Sequence, residues 1–159
     1  MKIITNCLFM MVCIFFLSCK ATCRRTELKA HEDMSYLIEY SNDSIIISVK
    51  EQDKETKYIA VKKDGEYYDE DGLFLSTVRD TVIQDSTGLL HTTTSIRKIK
   101  EHDTWAYLLD RYDKDLYVTD TRFVNEASPK DGAWPLTTYI YDKDYNIIQI
   151  GRFMYATFE

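Results

Sequence analysis

The sequence predicts an all-β domain: a strongly curved antiparallel meander sheet or an up-and-down β-barrel of about 8–10 strands. Three observations carry that expectation. From Met34 onward, apolar side chains recur with a period of two rather than 3.6, which places alternate residues on opposite faces of a pleated strand. Clusters of Asp, Asn, Ser, Gly and Lys interrupt the alternation at short intervals, and turns that short join antiparallel neighbours. Twelve tyrosines and seven phenylalanines favour strands, whereas five glycines and two prolines leave few breaks.

Tyr36, Ile38 and Tyr40 alternate in the first segment, and Ile45, Ile47 and Val49 share a face in the second; Ser41-Asn42-Asp43-Ser44 has the residues to join them as a hairpin. A third run, 58–62, ends at Asp64-Gly65, a strong hairpin signal between apolar runs. A short strand follows and stops at Asp69-Glu70-Asp71-Gly72. Two long strands are expected over 73–84 and 89–100, around the turn Asp85-Ser86-Thr87-Gly88. Trp105, Tyr107 and Leu109 read as one face of the next strand, before Asp113-Lys114-Asp115 turns the chain into 116–124. The segment from Asn125 to Pro135 is the longest break and holds both prolines. Strands over 136–141 and 145–158, reversed at Asp142-Lys143-Asp144, complete the series, and no long amphipathic helix is visible.

The N-terminus has a separate logic. Lys2 precedes an apolar run from Cys7 to Leu17, the length of a signal-peptide core and too short for a helix of about 20 apolar residues that would span a bilayer. The run closes on Phe16-Leu17-Ser18-Cys19. This closure resembles the lipobox of bacterial lipoproteins, with Phe16 at the usual leucine position; the resemblance covers residues 1–19 only. It implies cleavage before Cys19, acylation of the Cys19 sulfur and anchoring of the mature chain in a membrane by acyl chains. It also implies a bacterial cell-envelope location, with Lys20 rather than Asp after the cysteine favouring the outer membrane over the inner. An uncleaved anchor or a signal cut elsewhere are the competing readings of the same run, and Lys20, Arg24 and Arg25 outnumber Lys2 across it. The chain therefore divides into a signal (1–18), a polar tether (19–33) with one short helical turn expected over Thr26–Glu32, and an antiparallel β domain (34–159).

Once Cys7 and Cys13 leave with the signal and Cys19 is acylated, Cys23 has no partner within the chain, so no internal disulfide and no cysteine-based zinc site is expected. A formal charge of −6 argues against nucleic acid, which selects basic surfaces. The repeated Tyr112-Asp113-Lys114-Asp115 and Tyr141-Asp142-Lys143-Asp144 lack the glycine and distal Glu of a calcium loop and read as hairpin turns. His102-Asp103 would point to opposite faces of a strand, and His91, Thr93 and Ser95 share a polar face. No nucleophile elbow, zincin helix, phosphate loop or dinucleotide glycine pattern occurs, so no catalytic residue, metal or cofactor is assigned.

Function is expected to be binding rather than catalysis. The candidate contacts are Trp134, beside Pro135 in the longest break, with Trp105 and Tyr139. The expected partner is another envelope protein or a glycan; the alternative is a lipocalin-like carrier of a small amphiphile, although the Gly-x-Trp opening typical of lipocalins is missing.

Overall fold

The computed structural model describes residues 24–29, 34–87, 90–125, 133–151 and 154–156, with side chains left out at 85–87, 90, 123–125, 133–136 and 154–156. The fold is all-β. Its strands are β1 (Arg24–Lys29), β2 (Met34–Tyr40), β3 (Ser44–Glu51), β4 (Lys54–Lys63), β5 (Glu66–Asp69) and β6 (Gly72–Leu75), followed by β7 (Thr81–Thr87), β8 (Leu90–Lys98), β9 (Leu116–Asn125), β10 (Ala133–Asp142), β11 (Ile147–Ile150) and β12 (Met154–Ala156). One short helix, α1 (Tyr107–Tyr112), lies between β8 and β9. The hydrogen-bonded order is β6-β5-β4-β3-β2-β1-β12-β11-β10-β9-β8-β7. Two meanders, β1–β6 and β7–β11, are thus spliced edge to edge by β12, whose Tyr155 and Ala156 pair with Lys29 and Leu28 of β1. Among the described strands nothing pairs β6 with β7, so the sheet is a curled meander and not a closed barrel.

The short turns do what their residues dictate. Asp64 and Gly65 have φ of 53° and 87°, and two successive positive φ values are what a two-residue hairpin of the twisted kind needs. Ser41 Oγ accepts from Ser44 N at 3.0 Å and closes the β2–β3 turn. Asp142 is buried and organises its own turn, its Oδ1 accepting from Asp144 N at 2.9 Å and Asn146 N at 3.0 Å. In the other Asp-Lys-Asp copy, Asp113 adopts the left-handed conformation that ends α1.

Four expected elements differ. Arg24–Lys29, placed in the tether with a helical turn over Thr26–Glu32, is a strand paired along its length with β2, because Leu28 gains a buried position opposite Tyr36. The single long strand over 73–84 is two strands, interrupted where Ser76 Oγ accepts from Val78 N and Arg79 N and turns the backbone out of its ladder. The segment with Trp105, Tyr107 and Leu109 is a loop and α1, not a strand: Leu108 is the buried residue and Tyr107 is exposed. The strand expected over 145–158 is divided into β11 and β12 at Gly151, whose φ is 65°.

The sheet's inner face holds the larger core. Leu28, Ile38, Ile45 and Ile47 pack there with Leu75, Tyr141 and Ile147. Strands far apart in sheet order meet on this face: Phe74 of β6 lies edge-on to Tyr139 of β10, with ring centroids 4.8 Å apart, and Thr119 Oγ1 of β9 donates to Phe74 O at 2.9 Å. Contacts of that kind require the sheet to curl over itself. A second core forms on the opposite face, where Ile99, Trp105 and Leu108 cover Leu116, Val118 and Ile140.

The linker between β6 and β7 is pinned to the inner face. Tyr141 Oη donates to Ser76 O at 2.7 Å and accepts from Ser76 N at 3.1 Å. Tyr145 Oη donates to Gly65 O at 2.9 Å and lies within bonding distance of Thr77 N at 3.3 Å. Arg79 pairs with buried Glu66 at 2.6 Å. Burial alone would raise the Glu66 carboxyl, but hydrogen bonds from Ser76, Tyr68 and Arg79, with the guanidinium charge, outweigh it and hold the group below the usual range.

Tyr141→Phe removes both partners of the buried Ser76 backbone and should cost about 1–3 kcal/mol in urea unfolding. Burial, opposed by bonds to Thr119 and Ser76, pushes the Tyr141 phenol from 10.0 up to about 12. A raised folded value means the stabilisation is intact below the unfolded value and is lost as the pH rises from there through the folded one. The Tyr141 contribution should be intact up to about pH 10 and be lost progressively towards 12, so that Tyr141→Phe makes the alkaline decline of stability shallower.

Candidate functional site: an open groove between the two meanders

Because β6 and β7 do not pair, the inner face is left open beside them, and a groove of about 390 Å3 lies there. That volume is at the lower end of the roughly 300–1,000 Å3 typical of small-ligand sites. Its floor is a set of threonines: Thr92 and Thr94 from β8, Thr119 and Thr121 from β9, and Thr137 from β10. Register explains the convergence. Thr94 is directly opposite Thr121, and Thr121 is directly opposite Thr137, so the three form a row across three strands on one face. The Thr94 and Thr121 hydroxyls are 3.0 Å apart and bond to each other. Among the described residues, Thr92 and Thr137 have no side-chain hydrogen-bond partner.

The walls are aromatic and acidic, with the aliphatic Leu73 and Ile83 beside them. Tyr139 stands on β10 with Phe74 against it, and Tyr58 stands on β4, opposite Ile47 and so on the inner face. Tyr58 is 51% exposed, which places its ring at the mouth, whereas Phe74 is 9% exposed and belongs to the wall's packing. Burial raises the Tyr139 phenol well above its ordinary range, and the neighbouring Tyr36, Tyr58 and Asp69 add to the shift, so it is a neutral hydroxyl at physiological pH. At the β5–β6 turn, Asp69 Oδ1 accepts from Asp71 N at 2.9 Å, and both residues line the groove. Burial, reinforced by the Asp71 charge, raises the Asp69 carboxyl against the bonds it accepts from Asp71 and Gly72. No Lys, Arg or His is among the described lining residues.

The residues singled out from the sequence are dispersed. Tyr139 is in the groove. Trp105 is 8% exposed and packs in the second core on the other face, so its ring supports α1 and is not presented to a ligand. Trp134 falls within β10, its backbone opposite Phe123, rather than in a loop; its side chain lies outside the described ones. Cys19 lies outside the described residues. His102 is exposed in the turn before α1, and Asp103 is engaged by Arg97 instead of orienting it. Thr92, Thr94, Thr119, Thr121, Thr137, Tyr58, Asp69 and Asp71 were not anticipated as a site. The available signal was the recurrence of threonine at period-two positions in neighbouring strands, but only the register shows that they share a face.

A second exposed feature is an apolar strip on the outer face, with Leu37, Ile59 and Val61 at 37%, 56% and 53% exposure. Scattered exposed apolar residues are ordinary on protein surfaces. The groove differs in bringing aromatic rings, hydroxyls and carboxyls into one concavity. No protein family, curated protein or solved structure matches the chain.

The two tyrosines of the groove should respond differently to truncation. Tyr139→Ala removes a packed ring and should cost about 3–5 kcal/mol in urea unfolding, as other aromatic truncations in cores do. Tyr58→Ala, at the open mouth, should shift stability by about 0.5 kcal/mol or less.

Proposed function

We propose that this chain is a lipid-anchored binding module of the bacterial cell envelope, non-enzymatic, held by acylated Cys19 on the outer membrane and engaging its partner, an envelope protein or a glycan, through the groove between β6 and β7. The observation that carries the binding half of this reading is the groove itself: a concavity left by the unpaired edges of an otherwise tightly hydrogen-bonded sheet. Concave sites with a few convergent polar groups are where small ligands and partner side chains are usually taken. The anchor half rests on Lys2, the apolar run and Phe16-Leu17-Ser18-Cys19.

The amphiphile-carrier alternative gains less support. A carrier needs a continuous apolar lumen, and the inner face is filled by Leu28, Ile38, Ile45, Ile47 and Tyr141, while the groove's floor is hydroxylic. Catalysis gains little either, since the groove's ionisable groups are two aspartates at one turn, Tyr58 at the mouth, and Tyr139, whose phenol burial raises.

Two measurements test the two halves. Cys19→Ser should abolish palmitate labelling and release the protein from the membrane fraction; an unlabelled wild-type chain, or a variant that still fractionates with lipid, overturns the anchor. For binding, a photo-crosslinking residue introduced at Tyr58 in the acylated protein should give a discrete adduct in the envelope, and the same residue at Lys54 should not. Identical patterns at both positions overturn the groove as the binding surface.

A further inference from the structure

Resting on the groove as the binding surface, we infer that its ligand is a neutral polyhydroxylated chain, a short glycan segment, held between the Tyr58 ring and the hydroxyl floor with Asp69 and Asp71 accepting from its hydroxyl groups. The argument is one of matching group to group. A sugar ring presents a face of C–H groups and a rim of hydroxyls that must donate as well as accept. The C–H face packs on an exposed aromatic, and Tyr58 offers a half-exposed ring at the mouth. Threonine hydroxyls can donate or accept as the ligand demands, and those of Thr92 and Thr137 have no protein partner among the described residues. Ionised carboxylates only accept, and Asp69 and Asp71 line the same space.

The other ligand classes fit less well. Phosphate, sulfate and uronic acid groups need a cation, and none is among the described lining residues, while two carboxylates would repel them. An acyl chain would bury the unpaired hydroxyls of the floor, each without a hydrogen bond, at a cost of about 1–3 kcal/mol by protein mutational measure. A cationic amine would suit the carboxylates and the rings but would leave the threonine row unused. At about 390 Å3 the groove holds a short segment, so recognition is of a piece of a longer glycan.

The test uses isothermal titration of the full chain carrying Cys19→Ser, the variant expected to leave the membrane fraction, with neutral trisaccharides of glucose, xylose, mannose and N-acetylglucosamine, alongside spermidine and dodecylmaltoside. At least one trisaccharide should bind, and Tyr58→Ala and Thr137→Val should each weaken it by about tenfold, the loss of one stacked ring or one hydrogen bond. Circular dichroism of both variants controls for folding, and the isosteric Thr137→Val protects against a variant that fails to fold. Binding of spermidine or dodecylmaltoside but not of any trisaccharide, lost in Tyr58→Ala, overturns the glycan assignment and leaves the groove reading standing. Trisaccharide binding unchanged in both variants overturns the groove reading itself. No trisaccharide binding, together with a Tyr58-specific crosslink to an envelope protein, overturns the glycan assignment in favour of a protein ligand.

Discussion

The hydroxyl of Tyr141 is the constraint on which the shape of this molecule turns. It bonds both backbone groups of Ser76, 65 positions away in sequence, from the inner face of β10. A buried backbone N–H and C=O must be paired somewhere, and the linker between β6 and β7 has left its ladder. The phenol supplies both partners at once because a hydroxyl donates and accepts. Tyr145, stacked on Tyr141 with ring centroids 5.9 Å apart, repeats the device one turn later by bonding Gly65 O. Together with Glu66 and Arg79, these residues fix where the first meander ends and the second begins.

The curl and the groove are consequences of that anchoring. Once the linker is held against β10, β6 lies over the inner face and bonds through Phe74 O to Thr119, instead of extending to meet β7. The far ends of both meanders are joined instead through β12, so the gap in the sheet falls at β6 and β7. One edge is four residues long; the other, Thr81–Thr87, is longer and contains neither Lys nor Pro, the usual protections of a free edge. The aromatic packing that fills the rest of the interior stops short of this gap. What remains there is a wall of rings with Leu73 and Ile83, and a floor of threonines.

The two faces of β8–β10 show how one alternation serves two purposes. On β9, Leu116 and Val118 pack under α1, while Thr119 and Thr121 face inward to the groove. Asp120, on the outer face and nearly fully buried, is satisfied by Thr138 Oγ1 at 2.9 Å and Arg122 Nε at 2.8 Å, so its charge is paired within the fold and is not offered to a ligand. Asp142 is likewise taken up by its own turn. The aspartates that line the groove are Asp69 and Asp71, at the β5–β6 turn.

By itself the sequence determined that the fold is an antiparallel all-strand meander, because period-two alternation and Asp/Gly turns are local properties: Asp64-Gly65 needs no distant partner to reverse the chain. It also located most of the ladders, from Tyr36–Tyr40 to the strand leading into Asp142. Tertiary structure alone decided the rest. Leu28 made a strand of a polar segment by finding a buried place beside Tyr36, and Trp105 brought a helix against β9 where its spacing with Tyr107 and Leu109 had suggested a strand. The candidate site was the least legible part, since Tyr139 alone of its members was singled out. Thr94, Thr121 and Thr137 become neighbours only through the register of three strands, and Tyr58 and Asp69 reach them only because the sheet curls. Alternation fixes which side of a strand a residue occupies; the pairing of distant strands fixes what it faces.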